Sequence, residues 1–145
     1  MKKVIGLASD HGGYYLKEFV AGYLESMNLE IKDYGCNSTA SVDYPDYSHA
    51  LANAITSGEV DLAFAFCGSA NGISIALNRH KGVRAAICWQ KELATLAREH
   101  NDANVCSMPG RFLSEEVAAQ IVEAFLETEF EGGRHSARVE KIEIK

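Results

Sequence analysis

Short continuous apolar runs alternate along this chain with stretches whose apolar residues recur at helical spacing. Val4–Ala8 is a run of the kind that a strand buried on both faces shows. After Gly12–Gly13, the residues Leu16, Phe19, Val20, Tyr23, Leu24 and Met27 line one face of a helix. Leu29–Tyr34 alternates and predicts a second strand; a polar loop follows over 35–44, and Pro45 suits the first turn of a helix running to about Ser57. Leu62–Cys67 predicts a third strand, Gly72–Asn78 a short helix, Val83–Cys88 a fourth strand, Lys91–His100 a helix and Val105–Met108 a fifth strand. Ser114 is placed to cap a helix reaching about Thr128, with Glu115 and Glu116 in its first turn and Val117, Ile121, Val122 and Phe125 on its apolar face. Residues 130–145 form a polar, arginine-bearing tail with room for a last helix.

This β-α alternation predicts an α/β fold: a three-layer αβα sandwich around a five-stranded parallel sheet of Rossmann/flavodoxin-like type, strand order 2-1-3-4-5. In such sheets ligands sit beyond the strand C-termini, at the switch point between strands 1 and 3. The chemistry is therefore expected just after Ala8 and just after Phe66.

Composition narrows the class. A chain of 145 residues predicts one domain spanning 1–145, and 47% apolar with 23% charged residues excludes a disordered chain. No apolar run approaches the ~20 residues that span a bilayer, and the Met1-Lys2-Lys3 opening predicts no secretory leader. A cytoplasmic protein is expected. Residues 1–72 hold 4 basic and 9 acidic side chains, against 10 and 11 in residues 73–145. No basic run offers a nucleic-acid footprint, yet all six arginines follow residue 78, which suits a small anionic ligand. Cysteines 36, 67, 88 and 106 form no C-x-x-C pair, so a zinc knuckle or thioredoxin-type motif is not expected and all four read as reduced thiols.

Candidate chemistry falls where the switch-point rule demands it. Strand 1 ends in Ser9-Asp10-His11-Gly12-Gly13, a carboxylate and an imidazole compatible with an acid/base pair and equally with Asp10 capping the next helix. Strand 3 ends in Cys67-Gly68-Ser69-Ala70-Asn71-Gly72, a turn whose amides suit an anion and whose helix terminus favours a thiolate. A buried structural cysteine before an ordinary turn fits the same residues. A Cys-x5-Arg phosphatase loop fails, because position 73 is Ile73; a receiver domain would need Asp at the end of strand 3, and G-x-G-x-x-G is missing. His100-Asn101-Asp102-Ala103-Asn104 before strand 5, and Asp43-Tyr44-Pro45 after strand 2, are compatible with site lining or with turns. Arg134 and Arg138 share one face if their stretch is helical, two guanidinium forks suited to a phosphate or to a solvated surface.

Together these segments resemble one family: sugar-phosphate isomerases of the ribose-5-phosphate isomerase type B and galactose-6-phosphate isomerase group. The resemblance rests on Ser9–Gly13, Asp43–Pro45, Cys67-Gly68-Ser69-x-x-Gly72-Ile73-Ser74-Ile75-Ala76, His100–Val105 and Gly132-Gly133-Arg134-His135, in the family's order and spacing. It implies metal-free, cofactor-free aldose–ketose interconversion through an enediolate, in a homodimer or dimer of dimers with shared active sites. Cys67 would move the proton between C1 and C2, Ser69 would assist at the sugar oxygens, and the amides of Gly68, Asn71 and Gly72 would form the anion hole. His100, with Asp10 nearby, would open the furanose ring; Tyr44 and Asn101 would hold hydroxyls; His11, Arg134 and Arg138 would bind phosphate, and Arg111 would line the site. The 130–145 tail would reach the partner subunit.

Another branch of the family carries a glutamate base where this chain has Ile73, so Cys67 is the consistent assignment. Ser69 replaces the usual Thr, Ala70 stands where Gly is common, and Cys106–Gly110 replaces a more apolar run before Arg111. Ribose 5-phosphate is the expected substrate. Galactose 6-phosphate, allose 6-phosphate and a non-catalytic sugar-phosphate-binding subunit are the alternatives, and a flavodoxin-like redox domain is disfavoured by the absence of flavin loops.

Overall fold

The computed structural model describes residues 3–145; Met1 and Lys2, on which the no-leader expectation partly rests, lie outside the described residues. Five parallel strands are formed by Val4–Ser9 (β1), Glu30–Asp33 (β2), Leu62–Cys67 (β3), Ala85–Ile87 (β4) and Val105–Pro109 (β5). Between and after them run Tyr14–Ser26 (α1), Tyr44–Thr56 (α2), Asn71–Leu77 (α3), Lys91–Asn101 (α4), Glu115–Glu127 (α5) and Arg134–Glu140 (α6). This is the expected α/β class with helices on both faces of the sheet. Local signals hold at their positions: Pro45 lies in the first turn of α2, and the Ser114 hydroxyl accepts from Val117 N at 3.2 Å.

The strand order is β2-β1-β3-β5-β4, which corrects the expected 2-1-3-4-5 at its last two places. β5 is buried at every position, whereas β4 is half-buried throughout and only three residues long. A run covered on both faces belongs inside a sheet, and a short, partly exposed one at its edge. Val83–Cys88 and Val105–Met108 both look apolar in sequence, so alternation alone did not separate them. The switch point between β1 and β3 is unaffected.

Alternation along the strands sorts large side chains to one face and small ones to the other. Ile5, Leu7, Phe64, Phe66 and Met108 pack with Leu16, Val20 and Leu24 of α1 and Ile121, Val122 and Phe125 of α5. Each buried Phe contributes about 1.5–3 kcal/mol, and Phe64 meets Phe125 edge-on at 5.4 Å. On the opposite face Ala8, Ala63, Ala65, Cys67 and Val105 meet Leu51 and Ala52 of α2 and Ile73 and Leu77 of α3. Gly6 lets α2 approach closely: a Cβ there would stand 2.8 Å from Leu51 Cδ1. Three residues, Gly68–Ala70, then join the end of β3 to the N-terminus of α3.

A buried lysine ties the loop after β2 to the same end of the sheet. Lys17, fully buried on α1, donates to Asp33 at 2.6 Å and to Glu18 at 2.9 Å. Burial pulls its pKa down, but the bonds to Asp33 and Glu18 outweigh that and leave it raised. Asp33 also accepts from Gly35 N at 2.9 Å, and Gly35 and Cys36 bond to the backbone of Ser9.

Candidate active site

The carboxyl end of the sheet is held by backbone contacts between strand ends. Asp10, nearly buried, caps the turn His11–Gly13 by accepting from Gly13 N at 3.2 Å, while its own N–H donates to Phe66 O. A Cβ at Gly13 would collide with the Phe66 backbone, and one at Gly12 would lie 3.0 Å from Gly68 N. Gly110 N donates to Cys67 O at 2.8 Å, and Arg111 N to Gly68 O at 3.2 Å. The ends of β1, β3 and β5 are therefore clamped together, with the two turns in van der Waals contact.

Side chains gather on this frame. Cys67 is 5% exposed and closes β3 on the α2/α3 face. The Tyr44 ring lies against Gly72, where a Cβ would stand 2.7 Å from its Cζ, and the Arg111 guanidinium lies over Gly68 at 3.1 Å from the same kind of point. His11 accepts the N–H of Val42 on Nδ1 at 3.1 Å, which leaves Nε2–H as the neutral ring's donor. The Ser69 hydroxyl accepts from Asn71 N at 3.3 Å. Ala70 takes a left-handed conformation, φ 68°, just before α3, so this turn does need the positive φ that glycine usually supplies. Asp10, His11, Tyr44, Cys67, Gly68, Ser69, Asn71, Gly72 and Arg111 thus share one end of the sheet.

His100, Asn101, Arg134 and Arg138 lie at the other end. α4 runs back against the strands and ends at Asn101, before β5 begins, and β5 itself rises about 13 Å from Val105 to Pro109. Within one chain, therefore, His100 does not lie beside Asp10. It stacks on His135 of α6, ring centroids 4.2 Å apart, and Glu131 N donates to Glu99 O nearby. α6 is helical, so the exposed Arg134 and Arg138 stand one turn apart, and the tail packs on α4 of its own chain. Asn101 lines an open groove of about 630 Å³ together with Arg79, Lys81 and Arg84.

The arginines divide by role. Arg98 is nearly buried and donates to Asp102, to Ala103 O and to Thr128 O, while Arg84 pairs with Asp102, which closes α4 in a left-handed conformation. Both are structural. Arg79, Arg111, Arg134 and Arg138 make no ion pair among the described residues.

Sequence reasoning gave His135 and Glu131 no role, although His135 belongs to the quoted Gly132–His135 segment. A histidine that is 4% exposed beside His100 could be anticipated only once α6 was known to pack on α4. It also missed a depression of about 420 Å³ beside the Ser69 turn, lined by Asn71, Ile87, Trp89 and Phe112. Its residues come from three chain segments that carry no common motif. The four cysteines are free thiols, and burial pushes the Cys106 thiol up, with Cys88 adding to the shift. No helix among the described residues is long and apolar enough to cross a membrane.

Comparisons with known proteins give matches over nearly the whole chain. The sequence profile of the Ribose/Galactose Isomerase family matches residues 5–142. Ribose-5-phosphate isomerase B of Escherichia coli (strain K12) is 42% identical over 142 residues, 98% of this chain and 95% of that protein. The crystal structure of a ribose 5-phosphate isomerase from Thermotoga maritima superposes with a TM-score of 0.96 at 46% identity, covering 98% of each chain. The Mycoplasma genitalium ribose-5-phosphate isomerase B, solved with bound ribulose-5-phosphate, is similar at TM-score 0.91 and 38% identity, covering 96% of this chain and 93% of its own.

Proposed function

The chain belongs to the ribose/galactose isomerase family and is a sugar-phosphate isomerase, and from that premise we propose that it interconverts ribose 5-phosphate and ribulose 5-phosphate with Cys67 as the base. The observation that carries the residue assignment is the convergence of Asp10–Gly12, Cys67–Gly68, Tyr44 and Arg111 on one clamped strand end. In the open-chain aldose, the Cys67 thiolate removes the proton from C2 and the electron pair shifts toward the C1 oxygen. Return of that proton to C1 gives the ketose. The developing oxyanion needs fixed donors, which the amides of the 68–72 turn supply, and Ser69 relays protons between O1 and O2.

Ring opening and phosphate binding draw on the other end of the sheet. We place His100, Asn101, Arg134 and Arg138 of a second copy of this chain against the Cys67 end of the first, in a homodimer whose two sites are shared. His100 takes the anomeric hydroxyl proton, while His11, Arg134 and Arg138 hold the phosphate. What supports this reading is the separation of the two residue groups within one chain. The reaction proceeds in the cytoplasm without a metal cofactor.

The test is a coupled assay of ribose 5-phosphate isomerisation in EDTA, run beside allose 6-phosphate and galactose 6-phosphate. Cys67→Ala is expected to lose on the order of 10²–10⁴ in kcat with an unchanged circular dichroism spectrum. Near wild-type turnover by that variant would remove Cys67 from the mechanism, and a higher kcat/KM on either hexose phosphate would move the substrate assignment.

A further inference from the structure

Three ligand-type side chains meet at the amino end of the sheet, away from Cys67 of the same chain. His100 lies at the end of α4, His135 in the first turn of α6, and Glu131 just before the glycine pair that opens α6. Their donor atoms all lie within 4.8 Å of one another. His135 is 4% exposed and its Nε2 has no hydrogen-bond partner, with Glu131 Oε1 at 3.5 Å. A buried polar atom left without a partner is destabilising, and an ion coordinated there would relieve it.

We propose that His100, Glu131 and His135 form an inhibitory site for a divalent transition-metal ion of the zinc type. Two imidazoles and one carboxylate are a donor set that suits zinc, cobalt or nickel, and not magnesium or calcium, which take oxygen ligands. His135 is the fixed anchor, because it is buried; Glu131 is exposed and His100 half-buried at a helix end, so both can adjust. The rings of His100 and His135 now stack at 12° to one another, and parallel rings do not aim their lone pairs at one point. Coordination therefore turns His100 out of the stack and draws the donors to about 3.4 Å apart, the spacing of a tetrahedral site.

The consequence for turnover rests on the role proposed above for His100. A nitrogen lone pair committed to a metal cannot take a proton from a sugar hydroxyl. The ion competes with catalysis and adds nothing to it, so the metal-stripped protein is the active form.

Binding is read without substrate. Metal-stripped Cys67→Ala protein, which lacks the thiol nearest the strand-end turn, is titrated with Co²⁺ by visible absorption and with Zn²⁺ by calorimetry. One ion per chain with a tetrahedral Co²⁺ band is expected. Glu131→Gln, at an exposed position that leaves the fold intact, and His135→Gln should each weaken binding at least tenfold. Unaltered affinity in both variants, or no binding up to about 1 mM ion, overturns the site. Turnover is then read on chelator-treated wild type: added Zn²⁺ should inhibit, and Glu131→Gln should need at least tenfold more. Zn²⁺ that binds at this site and leaves turnover unchanged overturns the inhibition. Wild type inactive in EDTA would count against the isomerase reading, while the Co²⁺ titration still decides the metal site.

Discussion

The two ends of this sheet are built by different means. At the carboxyl end the backbone does the positioning: Asp10 N to Phe66 O, Gly110 N to Cys67 O and Arg111 N to Gly68 O pin three strand ends, and glycines 12 and 13 let the turns touch. At the amino end the candidate groups hang on helix termini, where His100 stacks on His135 and Arg134 and Arg138 extend from a short exposed helix. The first end, pinned by backbone, suits the proposed proton transfer, which tolerates little misplacement. The second offers reach and charge, which suits gripping a phosphate. Neither end alone holds the whole set of groups that an aldose phosphate needs, which is why a second chain enters the proposal.

Mixing two dead variants gives the sharpest break between the ends. Cys67→Ala and His100→Ala proteins, each expected to be nearly inactive alone, should together recover about a quarter of wild-type turnover, because half the dimers are mixed and each mixed dimer keeps one intact site. No recovery after co-refolding would mean that each site is served by a single chain.

Arg134→Ala tests the reach of the amino end. KM for the phosphorylated substrate should rise roughly tenfold with kcat little changed, the loss of one charge-assisted contact of about 1.5 kcal/mol. A fall in kcat at unchanged KM would place Arg134 with the chemistry instead.

A smaller effect concerns acid. His49 Nδ1 lies 2.7 Å from His80 Nε2, and burial, then the charge of His49, lowers the His80 pKa below its ordinary 6.5. The unfolded chain then takes up a proton that the folded chain resists. Stability is full above pH ~6.5 and declines as pH falls below it. Tm measured across that range should fall less in His49→Gln than in wild type. An equal fall in both would clear the pair.

Ala70→Gly is expected to change almost nothing. Relief of a left-handed alanine, about 1–2 kcal/mol, is offset by the lost burial of a methyl, about 0.8 kcal/mol, and by the added freedom of the unfolded chain, about 0.4–1 kcal/mol. A Tm shift of more than a few degrees would show that one of these opposing effects dominates.

Much of this was legible in the residues because the signals are local. The strand runs, the Pro45 and Ser114 helix starts and the switch-point motifs at Asp10 and Cys67 each depend on a few neighbouring positions. The β5–β4 exchange was not legible, because two apolar runs of similar length differ only in what finally covers them. The grouping of His135 and Glu131 with His100 was not legible for the same reason: it depends on α6 folding back on α4.

By itself the sequence determined the α/β class, the candidate residues after β1 and β3, and the resemblance to sugar-phosphate isomerases, since periodicity and motif spacing are properties of short segments. Only the tertiary structure decided which candidates share an end of the sheet. Parallel strands carry their last residues to one end, and the helices returning between them carry theirs to the other. His100 and Cys67, equally prominent in the sequence, are therefore separated by the length of the sheet, and the proposal of a second chain rests on that separation.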